Sequence, residues 1–376
     1  MEITELETPA VLIEEPILRN NIEKMQKFAT ELGFDLYPHF KTHKSVKIAE
    51  MQILNGAKGF TVSSLSEAEP LLNNGINDII IAYPVVDQKI QKLFEAFLRS
   101  GKKIMCITDD PSVAMSISKK FAGENETIDV FIKVDVGLHR CGVLPFSDSA
   151  TYLAKTIVEA PGIKLKGLLS HAGHAYSAVS VQQIKGIADQ ELKSLTNFAK
   201  ELEPITGKIE WLSVGATPTA MFYQSSEYPM MFRPGNYVFN DMIQVSLGIA
   251  SLEDCAMSIL CTVISKPAEN RLIIDAGKKT FSEDEGPKTT EKMHGYGGVL
   301  KSLYRKQLEK DLLLERLSEE HGIVTVKTRT NLKIGDKVRI IPNHACIVTN
   351  LHDHFYLTQG EQMLSKIKID ARGKSV

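Results

Sequence analysis

Five stretches of the chain carry residue types with chemistry in them. The first, Tyr37-Pro38-His39-Phe40-Lys41-Thr42-His43-Lys44, sets a lysine between two histidines. On an extended chain alternate residues share a face, so His39, Lys41 and His43 would point together. Cationic neighbours lower a lysine's pKa and sharpen it as a nucleophile, which suits Lys41 to Schiff-base chemistry. A solvated basic turn has the same composition. The second stretch, Lys133-Val134-Asp135-Val136-Gly137 running to Arg140-Cys141-Gly142, places an arginine between glycine turns, either beside a ligand or on the surface. The third, Ser170-His171-Ala172-Gly173-His174-Ala175-Tyr176, mixes small residues with His and Tyr, as a site floor does. Its two histidines read as loop residues rather than metal ligands.

The fourth stretch joins Ser213-Val214-Gly215-Ala216-Thr217-Pro218-Thr219 to Arg233-Pro234-Gly235-Asn236-Tyr237. Glycines and hydroxyls of this kind suit a phosphate cradle built from backbone N–H groups, and equally a plain turn. The fifth, Pro342-Asn343-His344-Ala345-Cys346, reads as strand. There His344 and Cys346 would project from one face, and imidazole with thiolate suits zinc. Two protein ligands with open positions would make such a site catalytic. The neighbouring pair His352 and His354 reads as a polar turn.

The elements that must hold these groups alternate over the first two thirds of the chain. Strand-like runs lie at Phe34–Phe40, Gly59–Val62, Asp78–Ala82, Lys103–Ile107, Asp129–Val134, Lys164–Leu169, Glu210–Val214 and Met230–Val238. Helix-like periodicity lies between them, as in Ile17–Leu32 and Val181–Leu202. This βα rhythm predicts a (β/α)8 TIM-type barrel over residues 1–245, with the active site at the C-terminal ends of its strands. An open doubly wound sheet is disfavoured, since no Gly-rich phosphate turn follows the first strand. Beyond about residue 246 short alternating runs predict a smaller, mainly β domain to residue 376: Ala256–Ile264, Arg271–Asp275, Gly322–Lys327, Lys337–Ile341, Ala345–Thr349 and His354–Leu357. One helix-like segment, Leu300–Leu317, interrupts it.

Composition narrows the function classes. Of 376 residues, 44 are Lys or Arg and 46 Asp or Glu, a net charge of −2. No basic field exists to draw nucleic acid or anionic lipid. No apolar run is long enough to span a bilayer. The acidic Met-Glu-Ile-Thr-Glu-Leu-Glu start lacks the features of a signal peptide. Five scattered cysteines argue against a disulfide framework and for a cytoplasmic setting.

Together these stretches, with Thr8-Pro9-Ala10, resemble the fold-type III pyridoxal phosphate (PLP) enzymes over nearly the whole chain. Within them the chain looks like the D-threonine aldolase and D-serine dehydratase group, distant relatives of alanine racemase. The resemblance implies that Lys41 forms the Schiff base to PLP and then acts as general base. It also implies that Arg140 faces the pyridine nitrogen, that Tyr176 lies beside the cofactor with His39 and His171, and that Gly215, Thr217, Gly235, Asn236 and Tyr237 surround its phosphate and ring. His344 and Cys346 would hold a divalent metal: zinc by ligand softness, with Mn2+ or Mg2+ as alternatives. The aldolases of the group carry His-x-Asp at this place and the dehydratases His-x-Cys. The resemblance therefore points to a cytoplasmic, homodimeric lyase converting D-serine to pyruvate and ammonia, with D-threonine aldolase as the alternative. A racemase would need a tyrosine base where the metal pair stands, and a non-catalytic PLP carrier would lack the second domain.

Overall fold

The computed structural model describes residues 1–286 and 293–376. The chain opens with strand β1 (Ala10–Glu14) and helix α1 (Glu15–Glu31). Six strand–helix steps follow, β2 (Phe34–Leu36), α2 (Val46–Leu54), β3 (Phe60–Val62), α3 (Leu65–Asn73), β4 (Ile79–Ile81), α4 (Lys89–Arg99), β5 (Ile104–Thr108), α5 (Pro111–Gly123), β6 (Ile128–Lys133), α6 (Asp148–Glu159), β7 (Ile163–Leu169) and α7 (Val181–Thr206), and then β8 (Trp211–Val214), β9 (Met230–Phe232) and α8 (Met242–Ser246). Strands β2 to β9 form an eight-stranded parallel sheet in which β2 lies beside β9. Backbone bonds from Lys58 to Leu36 and from Thr61 to Pro38, both 2.9 Å, join β2 to β3 and close the ring. The barrel expected from the βα alternation is present.

The pleat sorts the side chains of each strand. On β5, Ile104 and Cys106 face the helices, while Met105 and Ile107 point into the barrel with Tyr37, Ile80, Phe131, Leu169 and Met231. The helices are set by apolar stripes and caps. Helix α7 buries Ile184, Ala188, Leu195 and Leu202, and the Ser180 hydroxyl caps it by accepting the Gln183 N–H. Helix α3 is capped in the same way by Ser64, which accepts from Glu67.

The second domain contains β10 (Met257–Ala268), β11 (Arg271–Ile274), α9 (Lys278–Phe281), β12 (Gly297–Val299), β13 (Leu312–Leu317), β14 (Gly322–Val326), β15 (Lys337–Pro342), α10 (Ala345–Leu351), β16 (His354–Gln359) and β17 (Gln362–Lys368). Its strands form a nine-stranded sheet that also takes in β1, paired antiparallel to β10 and parallel to β16. Residues 10–14 thus stand apart from the 1–245 barrel assigned from the sequence. The first strand is stitched into the second domain, and the buried Arg339 seals the junction through Glu14 (2.7 Å), Ser258 (3.0 Å) and the Leu303 carbonyl (2.7 Å).

Two secondary-structure expectations are overturned here. Leu300–Leu317 is not a helix: its last third is β13, whose leucines pair across to β14. Ala345–Thr349 is not a strand but most of α10, because packing of Ala345 and Val348 into the core overrides its β-branched composition.

Candidate active site

A cavity of about 400 Å³ opens at the C-terminal ends of the barrel strands and is roofed by α10. Successive loops supply its lining: His39, Lys41, Thr42 and Lys44 after β2, Ser63 after β3, His171 and Tyr176 after β7, Gly215, Ala216 and Thr217 after β8, and Arg233, Gly235 and Asn236 after β9. From the roof come His344, Cys346, Ile347 and Asn350. Four of the five sequence stretches, drawn from both domains, therefore meet in one space.

The floor is cationic. Arg233 is buried, its Nε donating to Ser213 Oγ at 2.7 Å and a terminal nitrogen donating to the Ser170 carbonyl. Burial lowers Arg233 to about 10, with the nearby Glu191 pulling the other way. Burial, with Arg233 as the next cause, lowers the adjacent Lys133 to about 8. His39 and His171 are driven well below the ordinary histidine range, first by burial and then by the charges of Lys41, Arg233 and Arg140, with Lys133 acting on His171 as well. Both imidazoles are neutral at pH 7. Beneath the floor Glu191 accepts from Ser170 Oγ at 2.5 Å and from the Tyr223 hydroxyl, which also meets Thr219 Oγ1 at 3.0 Å. Such a site favours an anionic ligand.

The lining fits PLP on three counts. His39 Nδ1 and Asn236 Oδ1 are buried with no protein partner among the described residues, and buried polar atoms ordinarily have one. At Gly235 an added Cβ would stand 2.7 Å from Thr42 Oγ1 and 3.0 Å from His39 Cβ, so the close backbone approach depends on glycine. Lys41 supplies a primary amine on the cavity wall. Tyr176 lies with its hydroxyl beside Thr217 and Gln244; burial, then Cys346 and Asp241, push that phenol upward, so it stays protonated.

His344 and Cys346 sit across the cavity. His344 stands at the N-cap position of α10 and Cys346 lies in its first turn, so a helix terminus brings the pair together rather than one face of a strand. Cys346 Sγ approaches Thr42 Oγ1 at 3.4 Å. Burial pushes the Cys346 thiol up, but His344, Lys41 and Thr42 outweigh it and hold the group below the ordinary thiol range. Imidazole beside an ionisable thiol is the donor chemistry of a soft or borderline divalent ion. Among the described residues no group of three or more His, Cys, Asp or Glu is placed to hold a metal ion.

Three residues fall elsewhere than the sequence reading placed them. Arg140 is exposed on the loop after β6 and does not line the cavity; the arginine that does is Arg233. Tyr237 is buried outside the lining, its hydroxyl accepting from Gln52 at 2.8 Å. His43 also turns away, to Gln52 (3.1 Å) and the Ser45 carbonyl (3.1 Å), because residues 40–42 form a 3-10 turn and break the alternation. Arg233 was nevertheless legible: it lies two residues after the inward-facing Met231, on the same face of its strand.

Comparison with known proteins agrees with this geometry. The family profile described as "Alanine racemase, N-terminal domain" matches residues 13–242, more than half the chain. The chain belongs to the fold-type III PLP enzymes. A second profile, "Putative serine dehydratase domain", matches residues 256–358. A D-serine dehydratase of Dictyostelium discoideum is 29% identical over 98% of this chain and 97% of its own. A D-threo-3-hydroxyaspartate dehydratase of Delftia sp. (strain HT23) is 32% identical over 91% of each. The solved Delftia structure superposes with a TM-score of 0.90 at 29% identity over 98% of both chains, and D-threonine aldolase from Filomicrobium marinum with 0.87 at 25% identity over 99% of this chain and 97% of its own. This fold-type III enzyme is a PLP-dependent lyase. Among its described residues no helix is long and apolar enough to cross a membrane.

Proposed function

We propose that the enzyme is a metal-dependent D-serine dehydratase, releasing pyruvate and ammonium, with Lys41 as the cofactor-bearing residue and His344 and Cys346 as the metal ligands. One observation carries the reading: a His-x-Cys pair on α10 faces Lys41 within a single cavity. When bound, PLP supplies an electron sink for the charge left at Cα, and a divalent metal supplies a Lewis acid for the β-hydroxyl.

The residues of this chain do the rest. Lys41 would hold PLP, and its Nζ would serve as general base for the α-proton. Arg233 can only donate hydrogen bonds, so it leaves the nitrogen of a bound pyridine unprotonated, the role the resemblance gave to Arg140. His39 and His171, being neutral, add no charge beside Lys41. The Gly215–Thr217 and Gly235–Asn236 segments suit the phosphate. Thiolate ligation favours zinc over harder ions.

The relatives support the metal reading. In the Delftia dehydratase a histidine and a cysteine two positions apart were each replaced by alanine in solved structures, and the cysteine variant is in a metal-free form. The same resemblance supports a homodimer, which sedimentation checks. The deciding experiment is a panel of β-hydroxy D- and L-amino acids assayed for keto acid, aldehyde and ammonia with and without zinc. Keto acid and ammonia from D-serine, lost on chelation, are the expected result. Glycine and aldehyde from D-threonine would instead make the enzyme an aldolase.

A further inference from the structure

His344 does not stand alone at the metal corner. Its Nδ1 lies 2.7 Å from Asp284 Oδ2, a residue 60 positions earlier in the chain. Asp284 is itself clasped. Its Oδ1 accepts the Gly286 N–H at 2.8 Å, its N–H donates to Ser282 Oγ at 3.2 Å, and its carbonyl accepts from Asn343 Nδ2 at 3.1 Å. Asn343 Nδ2 also donates to the Gly295 carbonyl at 2.9 Å. The residue just before the metal pair thus ties the loop carrying Asp284 to the start of α10.

From this arrangement we infer that Asp284 is the positioning residue of the metal corner: it holds the proton of His344 on Nδ1 and presents Nε2 to the metal. A neutral imidazole offers one nitrogen as donor and the other as acceptor, and the partner of the first decides which remains for a metal. A carboxylate at the remote nitrogen also fixes the ring plane and makes the ligating nitrogen more basic. Asp284 acts through His344 rather than as a third ligand. No comparison assigns it a role. The inference rests on the reading of His344 and Cys346 as the metal pair.

The test is zinc affinity of the full-length, PLP-loaded protein, measured by competition with a chromophoric chelator. Asp284→Ala is expected to weaken zinc binding about 10–100-fold, with the visible band of the lysine-bound cofactor unchanged. In a His344→Ala background, Asp284→Ala should cause no further loss, because the residue through which it acts is gone. Asp284→Asn, which keeps the loop contacts, should fall between wild type and Asp284→Ala, and it replaces the alanine variant if that fails to fold. Wild-type affinity in both Asp284 variants would overturn the inference. So would an added loss in the His344→Ala background, which would make Asp284 a direct ligand. If the wild-type protein binds no zinc, the metal-pair reading itself fails, a result distinct from either of these.

Discussion

At the barrel end of the cavity, polar groups are held by neighbouring strands. Arg233 is pinned by Ser213 and Ser170, Ser170 by Glu191, and Glu191 by Tyr223, all buried and all on barrel elements. At the roof, His344 and Cys346 come from one short helix of the other domain. His344 is steered by a partly exposed carboxylate from a loop, and the roof meets Lys41's neighbours through a 3.4 Å approach of Cys346 to Thr42 and a 2.8 Å bond from Lys44 to Asn350. The first end is built rigidly from many shared partners. The second depends on how two domains meet. On the proposed reading the cofactor site belongs to the barrel and the chemistry that selects among lyase reactions to the junction, where a few side chains can change without disturbing the strands.

The sharpest break in this comparison is Lys41→Ala. It should lower turnover by about 10³-fold or more and abolish the visible cofactor band, seen by absorbance. His344→Ala should lower turnover by about 10²–10³-fold, the several kcal/mol a Lewis acid supplies, while leaving that band in place. Loss of both together would mean the two ends are not separable.

Glu191→Ala should cost about 3 kcal/mol of stability, because Ser170, Tyr223 and the Arg233 charge lose a buried partner. A urea midpoint shift measures it, and an unchanged midpoint would show the floor to be less rigid than described. Arg233→Ala should weaken PLP binding about tenfold or more, the value of a hydrogen bond to a charged group. Arg140→Ala should change it within about twofold, as exposed positions do. The reverse order, read by equilibrium dialysis, would return the cavity arginine to Arg140.

The smallest effect is in pH. Burial lowers His43 from 6.5 to about 3. Below pH 6.5 the unfolded chain takes up a proton that the folded chain refuses, so stability falls on acidification and is recovered as pH rises. This histidine contributes about 2 kcal/mol of that loss between pH 6.5 and 5. His43→Gln should therefore flatten the pH dependence of the thermal midpoint over that interval.

The rigid end was also the more legible. The pleat's period of two places Arg233 beside Met231, and a helix period places Glu191 on the apolar face with Ala188 and Leu195. Glycines at 215 and 235 and the lysine in its histidine-flanked loop were readable by type. The junction was not. Residues Ala345–Leu351 include Ile347, Val348 and Thr349, which favour strand, and only packing against the second sheet makes them a helix. The tie between Asp284 and His344 spans 60 residues with no local signal. The resemblance points Tyr237 to the site and the alternation of an extended chain does the same for His43, whereas turns direct both toward Gln52.

The central claim, that one lysine at the barrel mouth carries the cofactor, is tested most directly by borohydride reduction of the PLP-loaded protein followed by peptide mass mapping. A pyridoxyl adduct on the peptide containing Lys41, and on Lys41 itself by fragmentation, is the predicted result. An adduct on the neighbouring Lys44 or on the floor lysine Lys133, or no adduct at all, would contradict it.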